Sequence, residues 1–492
     1  MGWTAGTPGP SGATRRTLLH RSLGAGAVLS ATACAQGGAP AAPAGGANAP
    51  ATITWAVRPS GATPEARERL LQEFKAAKPN ITVEQLDASG GIAPSLEKIA
   101  AALAAGTVID VINGHLAARQ LIESIDAVQP IDDLVRRDRF DLNRYNKETL
   151  DSTGRYDGKL YTLPHAYGGD VAYNRALFRG AGVPEPSSDW NKPWTWEEFR
   201  EAMRRLTKSS GSELTQVGLA GFGYWVQSPI MQWGARWLTP DYKTVVCDSQ
   251  QTIDAYSKFD ELLFKDRVLA QSPGASFGTA NTFTTGKAAV AMPCCAALSF
   301  ARSTRGANIE WAFVTMPRGN TSTLDVSPVV MGIGKLSKQK EAAWELVKFF
   351  DGESRLAAVD ERMPAVLGDM LSWIKTNFSE WPDARAEMLA EGMRIAKPLE
   401  PLRYHAQWQK MAQEVIDPGY ADILAQKRSM VDFLKSAKPL LQNIVDDHAR
   451  TRGGRQAPAP RGGPPTAGCA AGRRNRRHRH PSRMLRRRRR AR

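Results

Sequence analysis

The chain is 492 residues long with a formal net charge of +16, but that charge sits at its ends. From Thr451 to Arg492 there are 15 Arg and no Lys or acid, and the first 34 residues hold 3 Arg and no acid. The span between carries 47 basic against 49 acidic residues, so the body is near-neutral and its charge gives no reason to expect nucleic-acid binding. A body of that length accommodates two domains with proper cores.

In chain order, "RRTLLHRSLGAGAVLSATACAQGG" comes first. The pair Arg15–Arg16 precedes an apolar run from Leu23 to Ala33 and then Cys34. The run is too short for a stop-transfer helix, which needs about 20 apolar residues, and the pattern is that of a secretory signal. It resembles a twin-arginine signal ending in a lipoprotein lipobox, with Ala31 where Leu is usual. The expectation is a signal peptide over 1–34 with Cys34 as lipid anchor on the outer face of the cytoplasmic membrane. An unlipidated cysteine near an ordinary cleavage site is the alternative. The Ala/Gly/Pro stretch 35–50 reads as a flexible linker.

The next hundred residues alternate strand and helix. "ATITWAVR" has period-2 character, and "PEARERLLQEFKAAKP" places Leu70, Leu71 and Phe74 on one helical face. Strand "ITVEQLDA", helix "APSLEKIAAALAAG", strand "VIDVING" and helix "AARQLIESIDA" follow. Such spacing predicts a parallel sheet with helices on both faces, and ligands then bind beyond the carboxyl ends of the strands. That rule puts Arg58 and Ser60 of "RPSG", with Asn113 and His115 of "NGH", at the mouth of a site. Further on, Thr195 and Glu198 of "TWEEFREAMRRL" make a capping box. "QTIDAYSKFDELLFKD", "KQKEAAWELVKFFDG", "AEMLAEGMRIA" and "VDFLKSAKPLLQNIVDDHAR" read as amphipathic helices.

The cysteines show no CxxC pattern or His/Cys cluster, so neither metal nor cofactor is expected. Gly274-Ala-Ser276-Phe-Gly278 matches a nucleophile elbow, but Pro273 breaks the strand the elbow needs before it. No acid spacing selects a glycosidase pair. The tail 451–492 has too few apolar side chains to pack. It reads either as a grip on anionic lipid or nucleic acid, or as a non-native end, the product of GC-rich DNA read out of frame.

Four further segments carry a resemblance. "DGKLYTLPHAYGGDVAYNRALFRGAGVPEP", "WTWEEFREAMRRL", "FTTGKAAVAM" and "LSKQKEAAWELVKFF" occur in the order and with the motifs of extracellular solute-binding proteins of sugar ABC importers. The chain resembles that family from about Ala51 to Arg450. The resemblance implies an α/β, two-lobed periplasmic-binding-protein-like fold of class II with a hinge, acting as a monomeric, non-enzymatic capture protein. Its partners would be a carbohydrate-like ligand and ABC permease subunits. It further implies lobe crossings near Pro164, Ala291 and Gly334, giving lobe 1 as 51–164 plus 291–334 and lobe 2 as 165–290 plus 335–450. Where many members carry Gly and a sugar-stacking aromatic, this chain has "PCCAALSF". A secreted carbohydrate-active hydrolase is the alternative function.

Sugar sites need aromatic faces and fixed polar groups. The segment "GFGYWVQSPIMQWGARW" offers Trp225 and Trp233, the latter read as one helical turn from Trp237. The resemblance places His165, Tyr167 and Asp170 after the first crossing, facing the cleft. Trp55 reads as strand core, and Tyr404, His405 and Trp408 as packed helix, with the cleft rim as the alternative.

Overall fold

The computed structural model describes residues 50–58, 63–90, 92–114, 117–168, 171–211, 213–220, 232–269, 283–291, 305–321, 324–398 and 401–456. The signal, Cys34, the elbow-like loop, "PCCAALSF" and residues 457–492 of the arginine tail lie outside the described residues, whereas 451–456, expected not to pack, continue the last helix and bring Arg452 to Glu123. In chain order the strands are β1 (Ala51–Val57), β2 (Ile81–Asp87), β3 (Val111–Gly114), β4 (Arg155–Tyr156), β5 (Lys159–Leu160), β6 (Thr162–Gly168) and β7 (Val171–Asn174). Then come β8 (Lys208–Ser210), β9 (Glu213–Ala220), β10 (Ala288–Ala291), β11 (Trp311–Val314), β12 (Asp325–Ile333), β13 (Met363–Pro364) and β14 (Lys397–Pro398). They form two main sheets and the small β4–β5 hairpin.

The first sheet has the order β13-β6-β12-β3-β1-β2, with β14 beside β12. β1 lies parallel to β2 and β3, as strand–helix–strand connections require. The helix Pro64–Ala77 starts where Thr63 accepts a hydrogen bond from Ala66 N and Pro64 occupies the first turn, and it buries Leu70, Leu71 and Phe74. Alternation along β1 separates two apolar clusters. Ile53, Trp55 and Val57 share one with Phe74, while Ala56 joins Ile99, Ile112 and Leu121 in the other.

The second sheet runs β11-β7-β10-β9-β8. Beside it the helix Trp196–Arg205 carries the expected capping box: Glu198 N donates to Thr195 Oγ1 at 3.2 Å, and Thr195 N donates to Glu198 Oε2 at 2.7 Å. The chain therefore changes sheets between β6 and β7 (Gly168 to Val171), and again between β11 and β12 (Val314 to Asp325).

These exchanges differ from the expected crossings. Ala291 ends β10 inside the second sheet, and Gly334 follows β12 inside the first. Gly334 is there because its backbone crowds the edge of the sheet: a Cβ would lie 1.7 Å from the Ile109 carbonyl oxygen. The helix Lys340–Asp351, expected in the second lobe, packs on the first sheet through rings. Phe350 lies 4.7 Å from Trp55, and Phe349 lies 5.2 Å from Phe74.

Two polar junctions tie the lobes together. Asn146 caps the helix Lys147–Gly154 of the first lobe, accepting from Thr149 N at 2.9 Å. Its amide nitrogen reaches the carbonyls of Met393 (3.2 Å), Arg394 (2.9 Å) and Ala396 (3.1 Å), at the end of the helix Asp383–Arg394. That helix belongs with the second sheet, where Arg385 donates to Ser187 O at 3.0 Å and Met388 O accepts from Trp190 Nε1 at 2.6 Å. The second junction is the helix Met430–Gln456. It begins on Asp260, which accepts from Met430 N at 2.8 Å, and ends on the first lobe, where Glu123 meets His448 (3.1 Å) and Arg452 (2.5 Å).

Candidate functional site

The carboxyl ends of β1, β2 and β3 bring together Arg58, Gly90 and Asn113. The Asn113 side chain is buried, and its amide oxygen accepts from Trp55 Nε1 at 3.0 Å and from Arg58 N at 3.4 Å. Its orientation is thereby fixed, and its amide nitrogen has no hydrogen-bond partner among the described residues. Arg58 is half-buried, and its Nε donates to the Gly90 carbonyl at 3.1 Å. Gly90 holds φ +118°, a conformation that side chains rarely adopt, so glycine lets the end of β2 turn its carbonyl toward Arg58. Burial lowers the Arg58 guanidinium from its ordinary value, aided by the like charge of Arg362 and opposed by Asp360.

His165 and Tyr167, expected to face the ligand, lie inside the first lobe. β6 runs between β12 and β13, so both of its edges are paired, and the side chains on its two faces are buried as well. His165 is 2% exposed and Tyr167 0%. His165 Nε2 donates to Asp360 Oδ2 at 3.2 Å. The Tyr167 hydroxyl points toward Thr149 and the Asn146 backbone, and burial raises it far above the ordinary phenol range. Both side chains brace the strand that leads into the second lobe, and neither is reachable by a solute.

Trp233 is half-buried in the second lobe, in a turn and not a helix. Gly234 at φ +82° breaks any helical path to Trp237. The segment 232–233 is pinned to the loop before β12, since Gln232 O accepts from Thr321 N at 3.1 Å and Trp233 O accepts from Asn320 Nδ2 at 3.2 Å. The Trp233 ring packs edge-on against Trp196 at 5.5 Å, with Lys258 Nζ 5.3 Å from its centre. Trp237 is core, and its indole N–H donates to Tyr256 at 2.6 Å. Trp55, Tyr404, His405 and Trp408 are buried, as their sequence contexts indicate. Ser60, His115, Asp170 and Trp225 lie outside the described residues.

The partners Gly90, Asp360 and Arg362 escaped the sequence reading. Asp360 and Arg362 flank the turn after the helix Arg355–Val359, and only tertiary folding brings them to β1 and β6. Gly90, in "ASGG" at the end of a strand, carried a turn signal that could have been read. Among the described residues no group of three or more metal-ligating side chains occurs, and no helix is long and apolar enough to cross a membrane.

The geometry agrees with what the chain is similar to. The family model for bacterial extracellular solute-binding proteins matches residues 59–353. A binding protein of Brucella abortus (strain 2308) is 26% identical over 299 residues, covering 57% of this chain and 67% of the relative. Among solved structures, an ABC substrate-binding protein of Listeria monocytogenes in complex with cycloalternan aligns with a TM-score of 0.65 at 18% identity, over 82% of this chain and 99% of that one. A Mycobacterium tuberculosis protein in complex with glycerophosphocholine aligns with a TM-score of 0.66 at 19% identity, over 81% and 99%. The maltose/maltodextrin-binding domain of Bdellovibrio bacteriovorus bound to maltotriose aligns with a TM-score of 0.59 at 18% identity, over 81% and 100%. These structural likenesses show the two-lobed periplasmic-binding-protein fold, and the family match settles membership: the chain belongs to the bacterial extracellular solute-binding proteins.

Proposed function

We propose that this chain captures a carbohydrate or related polyhydroxy solute between its two lobes, without chemistry, and delivers it to the membrane permease of an ABC importer. The observation that carries this reading is the polar pair Arg58–Asn113 at the carboxyl ends of the parallel strands, where α/β sheets take ligands. Cycloalternan and maltotriose, bound by structural neighbours, supply the ligand class. In this reading Arg58, Ser60, Asn113 and His115 present the first lobe's polar groups, and Asp170 with Trp225 meet the solute from the second. Trp233 braces the second lobe. The lobes turn on the sheet exchanges at 168–171 and 314–325, in the manner of hinge closure around a ligand. The protein acts as a monomer, needs neither metal nor cofactor, and is held at the outer face of the membrane by lipid on Cys34.

Two experiments test this. Titration with sugars, polyols and short peptides should give a saturable change in tryptophan fluorescence and a raised melting temperature with a sugar or polyol, and no product. Turnover would establish the hydrolase alternative. Cys34→Ala should export the body but release it from membranes; a variant that still pellets after a salt wash would shift the anchor to the arginine tail.

A further inference from the structure

We propose that the captured solute carries an anionic group, a carboxylate or a phosphate ester, that seats on the Arg58 guanidinium beside the Asn113 amide. This rests on the proposed function and narrows its ligand class.

The site is rich in donors and short of acceptors. Arg58 spends one N–H on the Gly90 carbonyl and makes no ion pair, so its terminal amino groups are unspent among the described residues. The Asn113 oxygen is consumed by Trp55 and Arg58, which leaves its buried amide nitrogen as a donor with no partner among the described residues. Asp360 is the carboxylate acting on this guanidinium, and it is buried against His165 at 3.2 Å. Arg362 adds a second positive charge nearby.

A neutral sugar hydroxyl both donates and accepts, so it needs acceptors that these residues do not offer. A carboxylate or phosphate oxygen only accepts, and a guanidinium fork matches either one in two parallel bonds. A half-buried guanidinium next to a like charge is costly until an anion arrives. Glycine at position 90 serves the same end, because its carbonyl aims the fork without neutralising it, where a carboxylate would do both.

The test is calorimetric titration of the full chain with glucose, glucuronate, glucose 6-phosphate and inorganic phosphate, at low and high salt. Either glucuronate or glucose 6-phosphate should bind at least about tenfold tighter than glucose, with affinity falling as salt rises. The first outcome names the carboxylate and the second the phosphate ester. Inorganic phosphate binding as tightly as the ester would support the anion seat and make the free anion the source. Arg58→Gln should remove at least about tenfold of the anionic affinity while Arg58→Lys retains part of it, since lysine keeps the charge but not the fork. Glucose binding as tightly as both acids, with no salt dependence, would overturn the inference and leave the proposed function standing. A folded chain that binds none of these probes would overturn the anion seat, while the proposed function is decided by the wider titration with sugars and polyols. The salt series on the unaltered protein decides the question even where a substitution disturbs folding.

Discussion

The interlobe junctions and the strand-end site treat polar groups in opposite ways. At the junction Asn146 uses its oxygen as a helix cap and its nitrogen on three carbonyls, and Glu123 is surrounded by Arg119, His448 and Arg452. At the strand ends Arg58 spends one N–H on the Gly90 carbonyl, and its terminal amino groups and the Asn113 amide nitrogen have no hydrogen-bond partner among the described residues. Satisfied groups fix how the lobes are joined. Oriented but unsatisfied ones are what a solute can complete, at some cost to the stability of the empty protein.

The comparison breaks most sharply at Glu123. Burial pushes its carboxyl up, but His448, Arg119 and Arg452 outweigh that and hold it below the ordinary range. Glu123→Ala would deprive Arg119, His448 and Arg452 of their shared carboxylate and should cost about 3–5 kcal/mol by urea denaturation, with solute affinity unchanged. A loss of affinity without a loss of stability would place Glu123 in the site.

The next effect is on pH. His405 is buried, and burial lowers it from 6.5 to about 4, with His448 adding to the shift. The unfolded chain therefore takes up this proton near pH 6.5 while the folded chain resists until about pH 4. Stability is whole above pH 6.5 and falls as pH drops toward 4, by about 3 kcal/mol. Denaturation at pH 7, 5.5 and 4.5 should show that slope, and His405→Gln should flatten it. A slope confined below the carboxylate range would assign the effect to Glu123.

Asn146→Ala should cost about 2 kcal/mol, from the lost cap and the orphaned carbonyls, and should leave the affinity of the solute within about twofold. The smallest effect is expected at Trp233: truncation to Ala should lower stability by about 1–2 kcal/mol, as for a half-buried ring, and hardly touch binding. Intact stability with a thirtyfold loss of affinity would return Trp233 to the site.

Much of the structure was legible where its information is local. The face Leu70, Leu71 and Phe74, the Thr195–Glu198 box and the alternation that makes β1, β2 and β3 parallel each lie within a few residues or one strand–helix–strand unit. The sheet exchanges were not legible to the residue. β12 pairs with β3 more than 200 residues earlier (Val330 with Gly114, Ile333 with Val111), and no local pattern names such a partner. The same holds for His165, whose burial depends on Asp360, 195 positions away. Trp233 misled because its spacing to Trp237 fits a helix, whereas Gly234 and the 319–321 loop dictate a turn. Sequence order alone placed Arg58 and Asn113 together at the carboxyl ends of the parallel strands, because the end of such a strand is a local feature.

Hydrogen exchange with and without a bound sugar tests the central claim most directly. The account predicts slowed exchange in peptides covering residues 58–62 and 113–116, together with the exchange segment 168–171, and the sugar recovered unaltered. Protection confined to the second lobe's groove lined by Arg305, Trp311 and Glu380, or a hydrolysed sugar, would contradict it.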